Sequence, residues 1–235
     1  MNAVAEISRG LRQPSTKPIW FRESILDPRQ LSITDITPSS EILKEHAVDL
    51  SLDQINQLKN NFTKETDGKY CSSFDVLTAM NLEPHTNVTL VFPINMRSSE
   101  EQVLPFRGGY YGNLVSMKTV KATSEYVCRA TLAEMVSKLR DAKRRPLKES
   151  EEIELSYSTL SVSDWRHTGF FEVDYGWGAP TNIVPYPAKI DLPIGLCALL
   201  RSPVFEGGVR LWTQCVWREH LEAFLNEMKA PFDNI

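Results

Sequence analysis

The stretch Asp174-Tyr175-Gly176-Trp177-Gly178-Ala179-Pro180 decides how this sequence is read. Two glycines bracket a tryptophan, an acid stands before them and a proline follows. Glycine adopts positive φ without steric cost and lets another backbone approach closely. Proline fixes its own φ and blocks helix continuation. The segment is therefore a backbone-constrained loop carrying one large aromatic side chain. Ser163-Asp164-Trp165 brings a second tryptophan shortly upstream.

Outward from this loop, periodicity organises the chain. Downstream, Ile194–Leu200 and Val209–Val216 read as strands. Arg218–Lys229 reads as a helix, with Leu221, Phe224, Leu225 and Met228 on one face. Upstream, Leu160–Trp165 is a strand, and Thr123–Arg145 reads as one long helix striped by Val127, Leu132, Met135, Val136 and Leu139. Its end, Lys138 to Lys148, is basic, which complements the helix dipole. Pro105 to Asn113 is a glycine-rich turn, and Asn87–Met96 is an apolar strand suited to a sheet covered on both faces. Ser72, with Asp75 three residues on, caps a helix running to Met80. Leu52–Lys64 is amphipathic through Leu52, Ile55, Leu58 and Phe62, and Ala47–Ser51 is a short strand.

Leu11 to Ser40 is punctuated by Pro14, Pro18, Pro28 and Pro38 and reads as a crossover linker, tacked to a surface by Trp20 and Phe21. Met1–Arg9 is a helix with Ala3, Val4 and Ile7 on its apolar face and Gly10 closing it. A mixed sheet flanked by helices gives an α/β or α+β class, of which α/β is taken here.

Composition narrows the function. The chain has 235 residues, 42% of them hydrophobic, and a net charge of −4, a balance that argues against a nucleic-acid binder. No window is long and apolar enough for a membrane span. Cys71, Cys128, Cys197 and Cys215 show no metal-ligand spacing and sit among apolar residues. They fit a reducing, cytoplasmic setting, with no metal and no permanently bound cofactor.

Asp174-Tyr175-Gly176-Trp177-Gly178 resembles the D-F-G-W-G signature of the BAHD acyltransferases, plant-type enzymes that use acyl-CoA, with Tyr for Phe. Two further blocks are similar to the same family. Asn95-Met96-Arg97 followed by Gly109-Tyr110-Tyr111-Gly112-Asn113 resembles its N-x-R … G-Y-x-G-N run, although Leu104-Pro105-Phe106-Arg107 departs from the usual P-P-L-P. Cys71 to Ala79 resembles its S-S-F-x-x-L-x-A helix. The resemblance covers essentially all 235 residues, as the C-terminal part of a longer protein. It implies a chloramphenicol-acetyltransferase-like fold, incomplete relative to the two-domain family architecture. Residues 1–22 are then a remnant of the N-terminal domain, 23–44 the crossover and 45–235 the C-terminal acyltransferase domain.

The resemblance implies acyl transfer from acyl-CoA, the co-substrate, to a hydroxyl or amine of a small acceptor. It makes Asp174 a structural acid paired with Arg97. It leaves Trp177 either walling an acceptor channel or packed in the core. Ser72 and Ser73 at a helix start, and Tyr111 and Asn113 on the glycine-rich turn, are the candidate CoA contacts, against the alternatives of a plain N-cap and a plain hairpin. The basic helix end either greets CoA phosphates or is simply solvated.

Two departures bear on activity. The family's general base is the His of an H-x-x-x-D motif. Here His46 has Asp49 at the wrong spacing, and His85, His167 and His220 have no Asp four residues on. The catalytic residues are therefore expected to be absent from this chain, the motif lying upstream of Met1. The family helix also continues through a tryptophan-containing segment that is missing between Met80 and Asn81. The full-length form is expected to be monomeric. The isolated chain is expected to be inactive, poorly soluble and self-associating. The competing reading is a non-catalytic truncated paralogue or gene-model fragment, acting at most as a CoA-binding or interaction module.

Overall fold

The structure is a computed structural model that describes residues 2–20, 43–73, 75, 77, 87–97, 110–146, 153, 156–185 and 194–232. A six-stranded mixed sheet runs through it in the order β1-β6-β5-β4-β2-β3. The strands are β1 (Lys44–Leu50), β2 (Asn87–Asn95), β3 (Val115–Thr123), β4 (Thr159–Asp164), β5 (Gly195–Arg201) and β6 (Val209–Val216). β2, β4 and β5 are parallel neighbours, while the β1–β6, β5–β6 and β2–β3 pairs are antiparallel.

The helices are α1 (Asn2–Ser8), α2 (Leu52–Glu65), α3 (Ser124–Arg129), α4 (Leu132–Arg144) and α5 (Leu221–Lys229). One face of the sheet carries Leu90, Phe92, Val120, Val162, Leu199 and Leu211, and α2, α4 and α5 cover it with Phe62, Leu139, Phe224 and their neighbours. The other face holds a smaller cluster in which Phe171 packs on Ala198, Leu200 and Trp212. This is the mixed α/β arrangement that the periodicity predicts.

Local chemistry sets the element ends. Ser51 and Gln54 form a reciprocal capping box at the start of α2. Where one long helix over Thr123–Arg145 is expected, there are two. Ala130 leaves the helix with an extended backbone, and Thr131 and Glu134 form a second capping box that starts α4. The preceding strand, β3, has no counterpart in the sequence reading. The expected helix face of α1 also differs: Ala5 is its buried residue, while Val4 and Ile7 stay exposed. The thiols do not all sit among apolar residues, because Cys128 is exposed. Residues 23–42 of the crossover, Phe21, the expected helix end at Met80, the Met80–Asn81 junction and residues 105–109 of the glycine-rich turn lie outside the described residues, while Lys44, placed in the crossover, already opens β1.

Candidate functional site

Parallel pairing sends the C-terminal ends of β2, β4 and β5 to one edge of the sheet. In open α/β sheets that edge is where loops gather into sites. After β4, Trp165 packs edge-on against Phe170 at 5.7 Å, and its indole N–H donates to Ser163 Oγ at 2.9 Å. A short 3-10 turn, Phe170–Glu172, follows. Arg201 of β5 pins the turn, pairing with Glu172 and lying 4.8 Å above the Phe171 ring. Val173 is buried, and the chain then turns outward into the Asp174–Pro180 loop.

Asp174 organises that loop. Its Oδ1 accepts the Gly176 N–H at 2.7 Å and the Gly178 N–H at 2.9 Å. The two glycines have φ of 112° and 95°, a region that side chains other than glycine rarely occupy. Bonds from Gly176 and then Gly178 hold the Asp174 carboxyl below its ordinary range. α1 grips the outer side of the same loop: Arg9 donates to the Asp174 carbonyl, and Ser8 Oγ to the Tyr175 carbonyl at 3.3 Å. The sequence reading missed both residues, since nothing in a lone Ser-Arg pair marks a partner far along the chain.

Arg97 and Asp174 do not pair. The Arg97 guanidinium donates to the Gly112 carbonyl at 2.5 Å, and the Arg97 backbone N–H donates to Asn95 Oδ1 at 3.0 Å. Two backbone donors satisfy the Asp174 carboxylate, and the cation that acts on it is Arg9 rather than Arg97. Trp177 is not packed in a core, being 94% exposed. The Tyr111 N–H meets the Ile19 carbonyl at 2.9 Å, and its ring lies 5.2 Å from that of Trp20. Trp20 thus packs against Tyr111. Asn113 is exposed beside them.

Ser72 and the basic helix end serve another purpose. Ser73, Asp75 and Leu77 are helical, and Ser72 exchanges bonds with Asp75 at 3.2 Å in both directions. Asp75 also pairs with Lys143 at 2.6 Å and lies 3.9 Å from Arg140, which donates to the Tyr70 carbonyl. Burial raises the Asp75 pKa, but the Lys143 and Ser72 bonds outweigh it and hold the carboxyl low. The helix start thus makes the N-cap bond that was one of its two readings, and Lys143 and Arg140 of the basic helix end lie on the internal acid Asp75. Arg145 donates to the Thr119 carbonyl, and Arg144 lies 3.6 Å from Asp141. Among the described residues no group of three or more side chains suits a metal ion.

The profile of the family described as "Transferase family" matches residues 1–230. The chain belongs to this family, the BAHD acyltransferases. A myricetin 3-O-glucosyl 1,2-rhamnoside 6'-O-caffeoyltransferase of Crocosmia x crocosmiiflora is 38% identical, over 96% of this chain and 60% of that protein. Acyl transferase 7 of Oryza sativa subsp. japonica is 34% identical, over 97% and 56%. Vinorine synthase shares the fold, with a TM-score of 0.66 at 15% identity over 96% of this chain and 55% of that one. So does F. sporotrichioides TRI101 crystallised with coenzyme A and T-2, with a TM-score of 0.59 at 17% identity over 98% and 58%. The BAHD chain therefore spans a little over half the length of the relatives it matches. The Crocosmia alignment extends over 263 residues, more than the chain contains, so that relative has residues without a counterpart here.

Proposed function

We propose that this chain is the C-terminal part of a BAHD enzyme that transfers an acyl group from acyl-CoA to a hydroxyl or amine of a plant specialised metabolite. What carries this reading is the Asp174–Gly178 loop, bonded to itself through Asp174 and gripped by α1, at the edge where β2, β4 and β5 end. Relatives named as a caffeoyltransferase and a taxane 2-O-benzoyltransferase favour an aromatic acyl group. In this reaction a histidine base takes the acceptor proton, the nucleophile attacks the thioester carbonyl, and the CoA thiolate leaves. None of the four histidines here has the H-x-x-x-D spacing, so the chain alone supplies scaffold and binding surface but no base. Ser73, Tyr111 and Asn113 remain candidate contacts for acyl-CoA. Four thiols outside any disulfide agree with a cytoplasmic setting.

A chimera tests this: the N-terminal part of the Crocosmia caffeoyltransferase joined to this chain, given caffeoyl-CoA and a glycosylated flavonol. CoA-thiol release is expected from the chimera, with none from this chain alone or from a chimera whose motif histidine is alanine. A folded chimera that releases no thiol would refute the acyltransferase reading. Turnover by the chain alone would refute its inactivity.

A further inference from the structure

Residues 11–18 carry neither helix nor strand. Pro14 and Pro18 account for this: each lacks the N–H that a ladder needs, and each pushes the residue before it, Gln13 or Lys17, toward extended backbone. Between Glu6 and Glu23 the sequence holds Arg9, Arg12, Lys17 and Arg22 and no acid, in a chain whose net charge is −4. Ser15 lies within this basic run, exposed, with Arg12 three residues before it. Arg12 is exposed too and pairs with no acid among the described residues.

Ser15 is also where the run is tied to α1. Glu6 Oε1 accepts the Ser15 hydroxyl at 2.6 Å, and Glu6 Oε2 accepts the Ser15 backbone N–H at 2.7 Å. The hydroxyl bond and then the N–H bond hold the Glu6 carboxyl below its ordinary range, and the charge of Arg9 adds to them. Arg9 in turn donates to the Asp174 carbonyl. One exposed hydroxyl thus sits at the junction of the basic run, α1 and the Asp174 loop.

We propose that Ser15 is a phosphorylation site for a protein kinase that reads a cation three residues before its target, and that the phosphoryl group unties Ser15 from Glu6 and draws Arg9 off the Asp174 carbonyl. The inference stands independently of the acyltransferase reading. In the step, Ser15 Oγ attacks the γ-phosphorus of ATP and the bond from that phosphorus to its bridging oxygen breaks. ADP leaves with the bonding pair, and the hydroxyl proton passes to the kinase's base. An exposed, extended segment fits a kinase cleft, and an unneutralised Arg12 complements an acidic one. Once attached, the phosphoryl group removes the hydroxyl donor and sets a charge of about −1.5 to −2 beside the Glu6 carboxylate. Like charges repel, while Arg9 and Arg12 offer charge-assisted bonds in exchange. α1 is too short to hold itself as a helix, so it loosens when these ties are lost.

The 235-residue chain is incubated with the catalytic subunit of cyclic-AMP-dependent protein kinase and magnesium ATP, and tandem mass spectrometry locates the phosphoryl group. Modification of Ser15 is expected. Arg12→Ala should slow it roughly tenfold or more, the worth of one charge-assisted bond, and Ser15→Ala should abolish it. Both side chains are exposed, so either variant should keep the wild-type circular dichroism. Hydrogen exchange reads the consequence: the Arg9, Gly10 and Leu11 amides, bonded to the carbonyls of Ala5, Ile7 and Glu6, should lose protection in the phosphorylated chain relative to one incubated without ATP. A phosphoryl group on Thr16 or another hydroxyl while Ser15 stays bare, or equal modification of Ser15 in Arg12→Ala, overturns the site. Phosphorylated Ser15 with those three amides as protected as before overturns the release of α1.

Discussion

Asp174 shows how one side chain can fix a loop chiefly through backbone N–H groups, with the charge of Arg9 a lesser contribution. A carboxylate accepting two backbone N–H groups makes charge-assisted bonds, and those bonds hold its pKa down. The consequences are local, because the side chain is exposed. Asp174→Ala should speed hydrogen exchange at the Gly176 and Gly178 amides, while Asp174→Asn, which keeps an acceptor oxygen, should change it much less. Protection equal in wild type and Asp174→Ala would show that the bonds do not order the loop. The pH dependence follows from the sign of the shift. A folded pKa below the unfolded one makes ordering complete above the ordinary carboxylate range, and lost as pH falls through the depressed value. At this scale the sequence was legible in part. Glycines flanking Trp177 announced a constrained turn, and both have positive φ. The partners were not legible: α1 donors and backbone amides leave no mark in composition, so Arg97 looked like the obvious cation for Asp174.

At the scale of elements, the C-terminal end of α4 is braced from both sides. Asp75 binds Lys143 on one side. On the other, Lys118, just 1% exposed, donates Nζ to the carbonyls of Arg145 at 2.9 Å and Pro146 at 3.2 Å, while Arg145 donates back to Thr119. A buried ammonium on the last carbonyls of a helix satisfies groups that the helix cannot, and its charge suits the dipole. Lys118→Met should therefore cost about 1–3 kcal/mol in urea unfolding, the penalty for leaving buried acceptors unmet. Asp75→Asn should cost about 2 kcal/mol, since Lys143 can still reach water. The carboxyls of Asp75 and Asp49 are both held low against burial, Asp49 by bonds from Arg210 and Ser202. Their stabilisation is present above the ordinary carboxylate range and fades as pH falls through their depressed values. Asp75→Asn should flatten the acid limb of a stability–pH curve, and an unchanged limb would remove Asp75 from that account. The same brace explains why β3 escaped the sequence. Its core-facing positions include Ser116, Lys118, Val120 and Ala122, so the alternation that betrays a half-buried strand is blurred by a lysine pointing inward. The break at Ala130 was readable, because Thr131-Leu132-Ala133-Glu134 has the capping-box spacing, but the apolar stripe runs across it and favours one helix.

For the whole molecule, what matters is the surface left without a cover. Leu52–Glu65, Leu132–Arg144 and Leu221–Lys229 bury their apolar stripes as amphipathic helices should, and that part of the fold was plain in the spacing. α1 does the reverse: Val4 is 56% and Ile7 53% exposed, on a helix fixed to the Asp174 loop. Trp177 on that loop is 94% exposed. Large apolar side chains clustered on one element without a partner mark an interaction surface. The relatives carry more than a third of their length outside the matched region, enough chain to supply that partner. A chain of these 235 residues by itself should bury Val4, Ile7 and Trp177 against a second copy instead. Sedimentation velocity should then show association that rises with concentration, and Val4→Ser/Ile7→Ser should shift it toward monomer without changing the melt, because neither residue belongs to the core. The difference in emission between wild type and Trp177→Phe isolates Trp177 from the other four tryptophans, and that difference should move to shorter wavelength as the chain concentrates and stop doing so in the Val4→Ser/Ile7→Ser background. A wild-type chain that stays monomeric across the concentration range, with Trp177 emitting as a fully hydrated indole throughout, would mean that this face tolerates water and that the rest of the family fold is not needed to cover it.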